Sequence, residues 1–203
     1  MTYNLIIAGV GGQGSILASR VVADAAIKAG VETGESLKVR VGETFGAAMR
    51  GGSVASHVRI GPDVGGPLVP KRGAQAILAL EPLEGLRVGV PYLAPGGVAI
   101  LNTSEIMPME VKIGTAKYPT IEEIKEALSR LGGKVYLINA TDLAIQAGNA
   151  KTVSAVMLGA LAKLSKLPFN VEKMKEALKG RVPQTTIEVN EKAFQLGFEA
   201  ALA

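Results

Sequence analysis

The chain contains no cysteine. That excludes disulfides, thiolate zinc sites, a cysteine nucleophile and a Cys-ligated iron–sulfur cluster held by this chain. It has a single histidine, His57. A Ser-His-Asp triad would have to use that residue, and a multi-histidine metal centre is excluded. Tryptophan is absent, and Tyr and Phe number four each, which leaves few stacking platforms for single-stranded nucleic acid. The net charge of +4 comes without a basic run, so no nucleic-acid partner is expected. No apolar run reaches the roughly 18 residues of a membrane span, and Met1–Asn4 leads directly into an apolar run, leaving no room for a signal peptide. A cytoplasmic protein with no membrane partner is expected. With 48% hydrophobic and 20% charged residues, it reads as globular.

Apolar runs alternate with helical periodicities along the 203 residues. Strands are expected at Leu5–Val10, Glu35–Val41, Val54–Ile60, Ala76–Leu80, Gly97–Asn102 and Val135–Asn139. A first helix runs from an N-cap at Ser15 to a stop at Gly30. Further helices are expected at Pro82–Tyr92, Thr120–Leu131, Asp142–Ala147, Thr152–Leu164, Val171–Leu178 and Glu188–Leu202. Residues 42–53 hold four glycines and read as a functional loop, residues 61–73 as a turn or lid, and residues 103–119 as the main irregular excursion. The fold class is α/β: a three-layer α/β/α arrangement around a mostly parallel sheet, with mixed strand direction left open. One domain, 1–203, is expected, with about 150–203 as helical cover or a partner-binding lobe.

Gly9-Val10-Gly11-Gly12-Gln13-Gly14 fits the G-x-G-x-x-G pattern of a Rossmann-like first turn between strand and helix. Glycine lets the backbone turn tightly and approach a ligand or neighbouring chain closely, and a following helix N-terminus favours an anion such as phosphate. A dinucleotide site also needs an acidic residue at the end of the second strand, about 20 positions on. Glu32 and Glu35 stand at that distance, but Glu35 opens the second strand and does not close it. Three readings stay open from these residues: an NAD or FAD site, some other phosphate-bearing ligand, and close helix–strand or subunit packing.

A second glycine cluster follows: Gly42-Glu43-Thr44-Phe45-Gly46, then Met49-Arg50-Gly51-Gly52-Ser53 leading into VASHVRIG. Arg50 before two glycines sets a cation beside flexible backbone, a combination that suits carboxylate or phosphate. His57 and Arg59 read as hydrogen-bonded or solvated strand residues. Together, GVGGQG and RGGSVASHVRIG resemble the gamma subunits, or gamma domains, of the 2-oxoacid:ferredoxin oxidoreductases, and within them the small subunit of the indolepyruvate type. The likeness continues through Ala76–Leu80 with Glu81-Pro82, the Pro-Gly-Gly turn into Ile100-Leu101-Asn102, and Asn149 to Met157-Leu158-Gly159-Ala160-Leu161. It covers about residues 3 to 165.

The resemblance implies a division of labour. The family decarboxylates a 2-oxoacid on thiamine diphosphate, passes electrons through iron–sulfur clusters to ferredoxin, and gives the acyl group to coenzyme A. This chain lacks cysteines and any Gly-Asp-Gly stretch with an asparagine pair for Mg²⁺ and diphosphate. Thiamine diphosphate, Mg²⁺ and iron–sulfur clusters are therefore expected on a larger partner subunit, with ferredoxin served through the complex. No cofactor is expected on this chain alone, and coenzyme A is expected to be shared. The implied coenzyme A and phosphate contacts are Gly9, Gly11, Gly12, Gln13, Gly14, Arg20, Arg50, Gly51, Gly52, Ser53, Asn149 and Lys151. Arg20 stands where related single-chain enzymes carry a helix lysine. No catalytic residue is assigned, and no metal ligand. The alternatives are an NAD(P)-dependent Rossmann oxidoreductase and a purely structural module.

Overall fold

The structure is a computed structural model that describes residues 2–34, 37–46, 48 and 50–201. The elements run β1 (Tyr3–Val10), α1 (Ser15–Thr33), β2 (Lys38–Phe45), β3 (Ser53–Gly61), β4 (Ala74–Ala79), α2 (Pro82–Tyr92), β5 (Leu93–Asn102), α3 (Met109–Lys112), α4 (Ile121–Arg130), β6 (Lys134–Ile138), α5 (Ala140–Ala147), α6 (Val153–Leu164), α7 (Val171–Lys179) and α8 (Ile187–Ala200). The six strands form one sheet in the order β2-β3-β1-β4-β5-β6.

The sheet is mixed and mostly parallel. β1, β4, β5 and β6 pair in parallel, and β3 runs antiparallel to both β1 and β2. The reason lies in the connections. Helical crossovers separate β4, β5 and β6, whereas residues 46–52 join β2 to β3 directly, a link long enough only for an antiparallel return. β1 lies centrally and is buried along all eight residues, as a near-continuous apolar run requires.

Each face of the sheet has its own core. On one, Leu5, Ile7, Leu78 and Ile100 meet α1, α5, α6, α7 and α8. On the other, Ile6, Ile77, Ala99 and Leu101 meet α2 and α4 through Val88, Ile124 and Leu128. α6 and α8 approach closely: a Cβ at Gly159 would lie 2.8 Å from the Phe198 amide nitrogen, and one at Gly197 would lie 2.6 Å from the Val156 carbonyl carbon.

Several boundaries differ from the sequence reading. α1 starts at Ser15, so the N-cap is Gly14, with no side-chain cap. It passes through Gly30 and ends at Gly34, which takes the left-handed conformation (φ 70°). Gly30 is buried within the helix and does not stop it. β2 continues through Gly42–Phe45, expected as loop, because a Cβ at Gly42 would meet Pro67 at 2.9 Å and the missing side chain lets that segment lie against the strand. Glu35, Met49 and Leu202 lie outside the described residues. β5 begins at Leu93, four residues early, and α3 interrupts the excursion at 103–119. α4 is as expected, closed by a reciprocal capping box between Thr120 and Glu123.

Candidate functional site

α1 leaves β1 on one face and α2 leaves β4 on the other, while β1 and β4 are neighbours. The carboxyl ends of these strands therefore flank a topological switch point, the usual place for a ligand crevice in an open α/β sheet. The glycine loop sits there.

Its groups are largely engaged within the chain. Gln13 spans the crevice: its Oε1 accepts the Val10 amide at 2.7 Å and its Nε2 donates to the Leu80 carbonyl at 3.0 Å. A Cβ on Gly9 would meet Gln13 Oε1 at 2.9 Å and Leu80 Cβ at 3.1 Å, so Gly9 is what admits this bridge. The Gly11 amide donates to the Gly52 carbonyl at 2.8 Å, and the Gly51 amide donates to the Gly11 carbonyl at 3.2 Å. The two glycine clusters, 40 residues apart in sequence, are thus zipped together across a single peptide. Gly51 takes the left-handed conformation (φ 73°), and Gly12 has φ 110° in open space. A Cβ on Gly14 (φ 89°) would meet Ser154 Oγ at 3.0 Å and Cβ at 3.2 Å. The N-termini of α1 and α6 therefore abut at Gly14 and Ser154.

That contact brings in the third expected element. Asn149 Oδ1 accepts the Lys151 amide at 2.9 Å and its carbonyl accepts the Thr152 amide at 2.9 Å, capping the short turn before α6. Arg20, Arg50 and Lys151 are exposed, and among the described residues none of the three forms an ion pair. Gly11, Gly12, Gln13, Gly14, Arg50, Gly51, Gly52 and Ser53 thus come together at the carboxyl edge, with Gly9 buried beneath them. Asn149 and Lys151 join them through Ser154, and Arg20 follows in the second turn of α1. Exposed cations thus stand in the chain segments next to closely packed glycine backbone and the two abutting helix N-termini, and a helix N-terminus favours an anion such as phosphate.

The same geometry argues against a nicotinamide dinucleotide. The Gly11 amide is already occupied by Gly52, and Gln13 spans the switch-point crevice. The strand beside β1 that would carry the ribose acid is β3, which runs the wrong way and begins there with Ser53. The end of β2 lies one strand further out.

A buried polar network behind the loops went unread in the sequence. Ser53 Oγ donates to Glu84 Oε2 at 2.5 Å, and Arg87 pairs with Glu84 Oε1 at 2.5 Å. Glu81, only 1% exposed, is the N-cap of α2: its Oε2 accepts the Glu84 amide at 2.8 Å, while its Oε1 accepts the Ile106 amide at 3.3 Å and the Tyr118 hydroxyl. Glu81 therefore ties down the excursion 103–119 near both ends. Burial pushes its carboxyl above the ordinary range, against the lowering by its donors. Burial and the Glu81 hydrogen bond push the Tyr118 hydroxyl up in turn. Glu-Pro-x-Glu after an apolar strand is a helix-start signal that marks both carboxylates. No local signal points to Tyr118. Asn102 completes the crest: its Nδ2 donates to the Leu80 carbonyl at 3.1 Å and its Oδ1 accepts the Ala140 amide at 3.1 Å.

His57 and Arg59 have structural roles. His57 Nδ1 accepts the Val69 amide at 3.2 Å, its ring packs edge-on against Tyr92, and burial lowers its pKa. Arg59 donates to Asn4 Oδ1 and to the Gly66 carbonyl, each at 2.9 Å, fastening the 61–73 segment to the sheet.

The family model for pyruvate ferredoxin/flavodoxin oxidoreductase matches residues 4–200. Indolepyruvate oxidoreductase subunit IorB of Thermococcus kodakarensis is 43% identical over 200 residues, covering 98% of this chain and 96% of that one. The solved gamma subunit of a keto/oxoacid ferredoxin oxidoreductase from Geobacter sulfurreducens superposes with a TM-score of 0.71 at 27% identity, covering 98% of each chain. The 2-oxoglutarate:ferredoxin oxidoreductase of Magnetococcus marinus, solved with 2-oxoglutarate, coenzyme A and succinyl-CoA bound, gives a TM-score of 0.69 at 22% identity. The match covers 99% of this chain but 31% of that one, and it speaks for the fold alone. Among the described residues no helix is long and apolar enough to cross a membrane.

Proposed function

The chain belongs to the pyruvate ferredoxin/flavodoxin oxidoreductase family, as a gamma-type subunit of a heteromeric 2-oxoacid:ferredoxin oxidoreductase, and from that premise we propose that it is the non-redox subunit of an enzyme acting on indolepyruvate or related aryl pyruvates. In this reading it completes the active-site cavity formed with a larger subunit and contributes cationic and backbone contacts to coenzyme A. The acyl group formed by decarboxylation on the partner is delivered to coenzyme A, and the electrons leave through the partner to ferredoxin. Substrate class rests on the likeness to the indolepyruvate subunit.

The donor set supports this division. With no cysteine, the chain has no thiolate to hold an iron–sulfur cluster. What it does offer is paired glycine backbone with Arg50 next to it in sequence, and exposed Arg20 and Lys151 near the helix starts that meet at Gly14 and Ser154; that placement carries the coenzyme A assignment. Gln13 and the Gly11–Gly52 pairing fix the backbone from which Arg50 extends. The glycines, on this account, serve close packing beneath the coenzyme A edge.

The test is steady-state kinetics of the assembled enzyme with an aryl pyruvate, coenzyme A and ferredoxin. Arg50→Ala and Arg20→Ala each remove one of these cations. An exposed charge-assisted contact to phosphate contributes about 1.5 kcal/mol or more, so KM for coenzyme A should rise by about tenfold in each, with KM for the 2-oxoacid unchanged. A variant with wild-type KM for coenzyme A removes that residue from the site, and wild-type values in both overturn the assignment.

A further inference from the structure

At the opposite ends of the strands lies a groove that the glycine loops do not touch. It is lined by the starts of β1, β4, β5 and β6 and by the segment that leaves α6. Its volume is about 590 Å³, within the ~300–1,000 Å³ range of small-molecule sites. The floor and walls are largely apolar: Pro95, Val98, Tyr136, Leu164 and Pro168.

The charged side chains around it are cationic. Lys134 and Lys166 stand on the rim, with no Asp or Glu among the lining residues, and neither lysine forms an ion pair among the described residues. Gln75 Oε1 is taken by the Asn4 amide at 2.7 Å, so the free half of that side chain is its NH₂. Tyr3 also lines the groove, its hydroxyl half of a 2.6 Å pair with Ser165 Oγ. Burial raises its pKa to about 12, so it stays protonated. Gly97 lets the β5 backbone close the floor, since a Cβ there would lie 2.9 Å from the Ala94 carbonyl and 3.0 Å from the Ala74 carbonyl.

We propose that this groove is a second ligand site, for a small organic carboxylate with an aromatic or aliphatic body. Two ammonium groups and an amide NH₂ with no opposing carboxylate select an anion. The apolar wall selects against inorganic phosphate, which would leave that wall wet. A carboxylate on a hydrocarbon body satisfies both halves. The lysines act as point charges without an arginine fork, so the head group is held by charge and not by bidentate geometry.

The test is isothermal titration of the full chain with phenylacetate, phenylpyruvate, benzyl alcohol and phenethylamine, repeated on the assembled enzyme with phenylacetate. Both acids should bind saturably and at least tenfold more tightly than the alcohol or the amine. Lys134→Ala with Lys166→Ala should weaken the acids at least tenfold while leaving the unfolding midpoint in place. Tyr136→Ala should weaken all the aromatic ligands. Binding of both acids with phenylpyruvate the tighter would identify the 2-oxoacid as the source of the ligand, and equal binding would identify the arylcarboxylate class. No saturable binding, indifference to charge, or an undiminished affinity in the double-lysine variant would overturn the proposal. So would loss of phenylacetate binding on assembly, because the groove would then be a subunit contact.

Discussion

Replacing Gly14 with alanine separates the two explanations for the glycine loop. Two costs act on the folded chain. At φ 89° an L-residue is held in left-handed space, at about 1–2 kcal/mol. The new Cβ would also lie 3.0 Å from Ser154 Oγ and 3.2 Å from Ser154 Cβ. The hydroxyl can rotate away but the Cβ cannot, so this contact falls near the lower end of the ~1–3 kcal/mol range for overpacking. The sum is about 2–3 kcal/mol. Urea unfolding of the full chain, followed by circular dichroism, measures it. Ser154→Gly relieves the contact but not the backbone strain, so Gly14→Ala should cost about 1 kcal/mol less in that background. A Gly14→Ala change below about 0.5 kcal/mol, within the range of ordinary surface substitutions, or one additive with Ser154→Gly, would refute the packing argument and return the glycine to a ligand or partner.

Three further outcomes are expected. Gly159→Ala and Gly197→Ala should each destabilise by about 1–3 kcal/mol or more, because rigid backbone of the facing helix stands in the way. The opposing gain in helix propensity is only about 1 kcal/mol, and a raised urea midpoint in either variant would contradict the α6–α8 contact. Burial raises the folded pKa of Glu81, so between the ordinary glutamate value and the folded one the folded chain binds more protons than the unfolded chain, and stability falls as pH rises through that window. Tyr118→Phe removes a hydrogen bond that lowers the Glu81 pKa and should extend this loss to higher pH, while Glu81→Gln should abolish it. Identical urea midpoints against pH in the wild type and both variants would exclude Glu81 as the titrating group. Ser53→Ala should leave Glu84 with its Arg87 partner alone and cost about 1–2 kcal/mol, read as a drop in thermal midpoint.

What the sequence disclosed was mostly local. The apolar run of β1, the glycine turn and the helix beginning at Thr120 each arise from neighbours within a few residues, and they were read correctly. β2 was cut short at Val41 because an edge strand need not alternate. Its Gly42 looks like loop until Pro67, 25 residues on, is known to lie against it. Gly30 looked like a helix stop because its burial against other elements is invisible in one dimension. At the site, the two glycine clusters were legible separately, but their pairing at Gly11 and Gly52 is a long-range fact. Glu81 and Glu84 carried a helix-start signal. Their partners Tyr118 and Ser53 sit 37 and 31 residues away, at distances that no periodicity encodes.

The most direct test of the central claim is reconstitution. The chain and the larger subunit proposed as its partner are purified separately under anaerobic conditions, and ferredoxin reduction is measured with an aryl pyruvate and coenzyme A for each alone and for the mixture. The account predicts a colourless, inactive chain and a brown partner that turns over with coenzyme A only after the chain is added in stoichiometric amount. A partner equally active without the chain, or an isolated chain that binds and reduces NAD(P), would contradict it.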